Sequence, residues 1–176
     1  MNNLFKAAVA IIFPLFFLSI FISCNKATVD PKGDVAIYLL ESFDTIDASF
    51  RIDEAGVVIK PEPFIKYSDL LYYSKKNHTF KLSKSAADLL ENSRFGVYGE
   101  GFALKANNEI LYTGYFWPAF SSASCDWIVI DPISIIGRKM KVDIGYPNSS
   151  FASEVEDKRN NKILLDIFKR DGKLID

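Results

Sequence analysis

The sequence predicts an α+β domain, a largely antiparallel sheet with two helices packed on one face. Three observations predict it. Apolar or alternating runs of strand length outnumber helical patterns, polar turns join some of them as hairpins, and the two helical stripes do not alternate strictly with the strands. The chain has 176 residues, 49% of them hydrophobic, with 15 Phe and 8 Tyr, which is a globular composition of about one domain. The formal charge is −1. With no run of five like charges, the chain lacks the electrostatic footprint of a nucleic-acid binder or of a polybasic membrane patch.

Residues 35–40 (VAIYLL) form an apolar run that suits a strand covered on both faces. Residues 48–52 alternate and predict a strand, 53–56 a turn and 57–59 a short strand, after which Pro61 and Pro63 break the chain. Residues 65–73 read equally as a helical turn or a strand. Residues 79–82 predict a strand, and Ser83 an N-cap for a helix over 84–92 with Ala86, Leu89 and Leu90 on one face. Gly96 and Gly99 end that unit. Residues 101–106 and 109–117 predict a hairpin about Asn107 and Asn108, because Asn tolerates the positive φ of tight turns. Alternation places Ile110, Tyr112 and Phe116 on one face of the return strand and Leu111, Thr113, Tyr115 and Trp117 on the other. Residues 126–130 and 138–144 predict two more strands, the second with Met140, Val142 and Ile144 facing one way and Lys139, Lys141 and Asp143 the other. Residues 145–148 read as a turn. Asp157 is positioned to cap a helix over 158–170 with the stripe Ile163, Leu164, Ile167 and Phe168; Lys169 and Arg170 suit its C-terminal dipole and Gly172 its end.

The N-terminus differs in kind. After Lys6, residues 7–22 (AAVAIIFPLFFLSIFI) carry no charge; the run slightly exceeds a signal-peptide core and is shorter than the roughly 20 residues a spanning helix needs. Pro14 removes a helical hydrogen bond in its middle. Cys24 then stands where the chain turns polar, as a core thiol, half of a disulfide or a point of membrane attachment. The stretch Phe21-Ile22-Ser23-Cys24 resembles the lipobox of bacterial lipoproteins, with Ser23 and Cys24 matching and Phe21 standing where Leu is usual. The resemblance implies cleavage before Cys24, a diacylglyceryl thioether on its sulfur and stable membrane attachment, since two or more acyl chains hold where one is marginal. An ordinary signal peptide and an uncleaved anchor are the alternatives. The expected organisation is a signal peptide at 1–23, a polar tether at 24–33 and one domain at 34–176. The expected address is the cell envelope, at the outer membrane and facing the periplasm, because no acidic cluster follows the cysteine.

Residues 79–117 bring a second resemblance. Their order of strand, helix, strand, polar turn and strand is similar to part of the periplasmic head of SecD-type export proteins, with Phe80, Leu82, Ala86, Ala87 and Leu90 matching its pattern. It implies an α+β architecture and no transport function, since a SecD-like motor needs a set of transmembrane helices that this sequence does not carry.

No motif selects a catalytic or cofactor site, and none is expected to hold a cofactor or metal. Phosphate-cradling glycine motifs, metal-binding spacings, a nucleophile elbow and an EF-hand loop are all missing from the sequence. With Cys24 lipidated, Cys125 has no intramolecular partner and is expected to be a buried small hydrophobe. His78, the only histidine, is expected in a solvated turn. Residues 120–125 (FSSASC) carry hydroxyls with no base placed to activate them, so a loop satisfying its own backbone is expected. The stretch 115–120 (YFWPAF) is the most unusual: core packing is expected for part of it, while Tyr115, Trp117 and Phe120 are the candidates for an interaction surface. The function expected is a lipid-anchored envelope protein acting as a non-enzymatic binding module, its contacts the membrane through Cys24 and an envelope protein partner. The alternative is an envelope hydrolase or thiol enzyme assembled from distant residues, with Cys125 and His78 as its pair.

Overall fold

The computed structural model describes residues 33–176. The predicted signal peptide, Cys24 and all but the last residue of the predicted tether lie outside the described residues. In chain order the elements are β1 (Val35–Ser42), β2 (Val58–Ile59), β3 (Leu70–Ser74), β4 (Thr79–Leu82), α1 (Lys84–Asn92), β5 (Glu100–Ala106), β6 (Glu109–Phe116), β7 (Cys125–Ile130), β8 (Lys139–Lys141), β9 (Asp143–Tyr146), α2 (Lys162–Arg170) and β10 (Leu174–Ile175). The class is α+β, and its strands are divided between two mostly antiparallel sheets. Six strands run in the order β2-β1-β5-β6-β7-β9, with only β6 and β7 parallel. Four run in the order β10-β3-β4-β8, with only β10 and β3 parallel.

The main core lies on one face of the six-stranded sheet. Val35, Ile37, Phe102, Leu104 and Phe116 from that sheet meet Leu70, Tyr73, Phe80, Leu82 and Met140 from the smaller one. Both helices place their buried side chains in this core, Ala86, Ala87 and Leu90 from α1 and Leu164, Ile167 and Phe168 from α2. A second core covers the opposite face and holds Leu40, Ile52, Ala103, Tyr115, Trp117, Cys125 and Val129. Alternation along β5 explains the division: Phe102 and Leu104 point into the main core and Ala103 into the second. Phe80, Leu82, Ala86, Ala87 and Leu90, the residues that carry the second resemblance, are all buried in the main core, so their pattern is one of packing.

Local chemistry forms α1 and the hairpin after it. Ser83 accepts a hydrogen bond from Ala86 N at 3.1 Å, a cap worth about 1 kcal/mol. Leu89, predicted on the buried face, is exposed; Ala87 takes its place. Asn107 has φ +57° in the β5–β6 turn. Helix α2 ends in a Schellman motif: Gly172, at φ +66°, donates to Lys169 O, and Lys173 N donates to Phe168 O at 2.7 Å.

Further expectations need correction, and one reading left open is decided. Residues 48–52 form bends with a single bridge from Ile52 to Thr45, because this segment crosses over the second core instead of joining a sheet. Residues 65–73 are both things at once, a 3-10 turn at Tyr67–Asp69 followed by β3. On β6, Leu104 faces Tyr112 while Lys105 faces Ile110, so Leu111 is the extra residue of a bulge. Ile110 therefore packs on the second core and Leu111 in the main one, the reverse of simple alternation. The single strand predicted at 138–144 is cut at Val142: β8 pairs with β4 in the small sheet and β9 with β7 in the large one. Finally, α2 begins at Lys162 behind an Asn161 cap that accepts from Ile163 N at 2.8 Å. Asp157 instead binds Arg159.

Candidate functional site

Where β7 and β9 run side by side, Ile128 faces Ile144 and Val129 faces Asp143. Trp117 follows β6 and donates its backbone N–H to Ile130 O at 2.8 Å, which sets its side chain beneath these two strands on the second-core face. The indole is 0% exposed and packs edge-to-face against Phe50, with ring centroids 4.9 Å apart. Its Nε1–H has no acceptor among the described residues. A Cβ added at Gly99 would sit 3.2 Å from the indole Cε3 and 2.5 Å from Phe116 O, so only glycine fits there, at φ +68°. Gly99 lies on the β5 side of Trp117, because its neighbour Glu100 pairs with Phe116.

A cleft of about 690 Å³ opens beside β9. Its lining comes from Trp117, Val129 and Asp131, from β9 and the segment 147–155, and from Lys141 and Arg159. Its size lies within the range of small-ligand sites. Gly145, at φ +73°, lets the segment 147–155 close on β9: a Cβ there would meet Asn148 O at 2.7 Å and Ala152 Cβ at 3.0 Å. Asn148 starts that segment's turn by accepting from Ser150 N at 3.0 Å. Tyr146 donates its hydroxyl to Ala119 O at 2.7 Å and ties the loop after Trp117 to the cleft.

The charged groups of the cleft are occupied within the fold. Lys141 Nζ lies 2.6 Å from Asp143 Oδ1. The Asp131 carboxylate accepts from Ala119 N at 3.2 Å, Ile133 N at 3.0 Å and the Ser134 hydroxyl. Arg159, 14% exposed, forks onto Asp157 at 2.9 and 2.8 Å and donates to Val142 O at 3.0 Å. The hydrogen bond from Arg159 holds the Asp157 carboxyl below the usual carboxylate range, and the same bond holds the guanidinium above its ordinary value.

The predicted site residues are dispersed. Cys24 lies outside the described residues. Tyr115 is buried in the second core beside Phe43 and Phe50. Trp117 is fully buried and lies in the lining of the cleft. Phe120 alone is open, 61% exposed on an apolar groove with Leu90, Phe95, Pro118, Pro132 and Ile133. The three therefore do not form one exposed surface. Cys125 is fully buried, and burial pushes its thiol up to about 12. His78 sits in the β3–β4 turn with Nδ1 3.4 Å from the Tyr73 hydroxyl; partial burial first, and then Arg159, lower its pKa. Cys125 belongs to the large sheet and the second core and His78 to the turn between the two central strands of the small sheet, so the two are not brought together as nucleophile and base.

Among the described residues no group of three or more His, Cys, Asp or Glu is placed to hold a metal ion, and no helix is long and apolar enough to cross a membrane. Asp131, Asp143, Tyr146 and Arg159 carried no sequence signal, since they converge from separate segments with no shared motif. Comparison of the chain with protein-family models, curated proteins and solved structures finds no match.

Proposed function

We propose that this chain is a lipid-anchored protein of the cell envelope whose domain is a non-enzymatic binding module, with the cleft beside β9 as its ligand site. One observation carries the binding reading: a ligand-sized cleft has in its lining Trp117, whose buried donor Nε1 nothing among the described residues satisfies. Buried polar groups in folded proteins are almost always paired, and an orphan marks a place where something else supplies the partner. Binding is favoured over catalysis because the charged groups there are engaged in holding the loops and no nucleophile stands beside a base. The anchoring reading is supported by the lipobox-like residues 21–24.

The test is to purify the processed chain from detergent-solubilised envelopes, with mass spectrometry of its N-terminal peptide and hydrogen exchange with and without a soluble envelope extract. An N-terminus at Cys24 carrying acyl mass, with added protection confined to residues 141–155 and the stretch around 117, is the expected result. An unmodified Cys24 overturns the anchoring. Exchange unchanged by the extract overturns the binding site.

A further inference from the structure

We infer that the outer face of the small sheet is a docking surface for an anionic phospholipid bilayer, whose phosphate groups meet Lys76, Lys81, Lys139 and Lys141. The inference rests on the anchoring part of the proposed function and adds to it the face on which the domain lies against its membrane.

The first step is the arrangement of charge. Phe80, Leu82 and Met140 are buried in the main core, so alternation puts Thr79, Lys81, Lys139 and Lys141 on the other face. Lys81 stands directly opposite Lys139, and Thr79 opposite Lys141. Tyr72 and Ser74 of β3 continue the two rows. Like charges directly opposite across antiparallel strands destabilise a sheet, and an anion laid over them removes that cost. Three strands and a turn assemble this cluster, so counting charge along the chain does not find it.

The second step is the balance of that charge. A hollow of about 570 Å³ opens on this face, lined by Tyr72, Ser74, Lys76, Thr79, Lys139 and Lys141. Two carboxylates share the lining and both are matched: Asp143 lies 2.6 Å from Lys141 Nζ and Asp176 2.6 Å from Lys75 Nζ. Arg159, also in the lining, is matched by Asp157. Lys76, Lys81, Arg138 and Lys139 pair with no carboxylate among the described residues. Lys81 Nζ instead donates to Gly137 O at 2.7 Å. The face therefore carries an excess of positive charge, with hydroxyl groups beside it.

The third step selects a bilayer over a soluble anion. Nine residues, 24–32, join the attachment point to Gly33 and span at most about 30 Å. That is less than the width of a domain of this size, about 40 Å, so the side where the chain enters is held near the lipid. Gly33 enters beside the end of α2, where its carbonyl accepts from Arg170 Nη2 at 3.1 Å. The parallel strands β3 and β10 both begin there: Tyr67, just before β3, binds Asp171, and β10 follows at Leu174. The small sheet is thus on the entry side. The loop that receives Lys81 at Gly137 also carries Ile133 and Ile136, 57% and 83% exposed. Aliphatic groups beside cations suit the boundary between headgroups and acyl chains, and a soluble anion gives them nothing to meet.

The experiment places the processed chain in nanodiscs of phosphatidylcholine, with or without phosphatidylglycerol, and follows trace acetylation of each lysine by peptide mass spectrometry. On the anionic discs Lys76, Lys139 and Lys141 are expected to react about fivefold more slowly, the effect of one cation held at a charged surface. Salt at about 1 M should remove the difference. Lys60, paired with Glu100 in the large sheet, is the reference and should not change. Lys139→Glu sets an opposite charge across from Lys81. It should keep or raise Tm and abolish the protection of Lys76 and Lys141. Protection that survives this variant overturns the inference, and so do equal lysine rates on the two kinds of disc. Equal protection by soluble tripolyphosphate on neutral discs assigns the face to a soluble anion and overturns the bilayer. Neutral discs read the anchor by itself. A chain that leaves them with an unmodified N-terminal peptide refutes the anchoring and this inference with it, whereas a chain that stays with unprotected lysines on anionic discs refutes the docking face alone.

Discussion

Glu54 closes a gap where the sheet runs out, and replacing it tests that role. The parallel pairing of β6 with β7 covers only Tyr115 with Val129 and Phe116 with Ile130. Thr113, two residues earlier and fully buried, has no partner on β7 for its backbone N–H. Glu54 Oε1 accepts that N–H at 2.9 Å and the Thr113 hydroxyl at 3.1 Å, while Oε2 lies 2.8 Å from Lys158 Nζ. Glu54→Ala leaves a buried N–H without an acceptor, a loss of about 1–3 kcal/mol. The ion pair with Lys158 is partly exposed and adds no more than about 1 kcal/mol. The expected total is about 1–4 kcal/mol, or a Tm lower by about 3–12 °C for a domain of this size. Glu54→Gln keeps an acceptor oxygen and loses the charge, so it should cost about 1 kcal/mol. Urea melts of both variants, with m unchanged, provide the measurement. An alanine variant within about 0.5 kcal/mol of the parent, below the range expected for an orphaned donor, or a glutamine variant as weak as alanine, would refute the account of Thr113.

Other consequences follow from packing and ionisation. A Cβ at Gly114 would meet Phe102 Cζ at 2.6 Å and Ile128 O at 2.7 Å, one of them backbone, so Gly114→Ala should cost about 1–3 kcal/mol by overpacking, read from the urea midpoint. The Cys125 thiol should resist a thiol reagent at mildly alkaline pH in the native protein and react once urea unfolds it; equal rates would show that the second core is open. Because burial raises that thiol from 9.0 to about 12, the stability it contributes is whole below pH 9 and is lost as pH rises toward 12, a slope that Cys125→Ala should flatten. His78 has the opposite sign. Its folded pKa lies below the ordinary 6.5, so its contribution is present above pH 6.5 and is lost as pH falls through the lower folded value. His78→Asn, which tolerates the φ of +50° at this turn, should flatten the stability profile just below pH 6.5. Urea midpoints across a pH series measure the effect, and identical slopes in parent and variant would exclude it.

What was legible in the sequence was what short-range chemistry decides. Ser83 capping α1, Asn107 turning the hairpin and Gly172 ending α2 each act within a few residues, and each stands where its pattern predicts. The stripe of α2 was readable for the same reason, while its start was not: Asp157 and Asn161 are both good caps, and Arg159 claims the first of them. The bulge at Leu111 has no local signature, because it is set by the register of the facing strand, and it exchanged the faces of two residues that alternation had assigned. The segment 48–52 alternates like a strand yet lies across the second core, where Phe50 meets Trp117 and Tyr115. The cleft was illegible for a related reason. Its lining comes from the end of β6, from β7, from β9 and from the segment after it, and no spacing in the sequence joins them.

The position of the cleft follows from the crossing of the chain between sheets. Residues 139–146 are one extended run, but its first part pairs with β4 and its second with β7, and a strand that changes sheet makes a corner. Val142 stands at that corner, fully buried, with its N–H given to His78 O and its carbonyl taken by Arg159. Beyond the corner β9 is the last strand of its sheet, so nothing continues the sheet on that side. The segment 147–155 folds back over Gly145 and covers part of the opening; what it leaves uncovered is the cleft. The charges nearby hold the corner and the loops, with Arg159 on Asp157, Lys141 on Asp143, and Asp131 on its own loop and on the loop after β6 through Ala119 N. A corner stabilised this way spends most of its ionic groups on its own geometry and keeps one buried neutral donor without a partner among the described residues, Trp117 Nε1, at the edge of the space it encloses. The topology therefore accounts for the existence of the site.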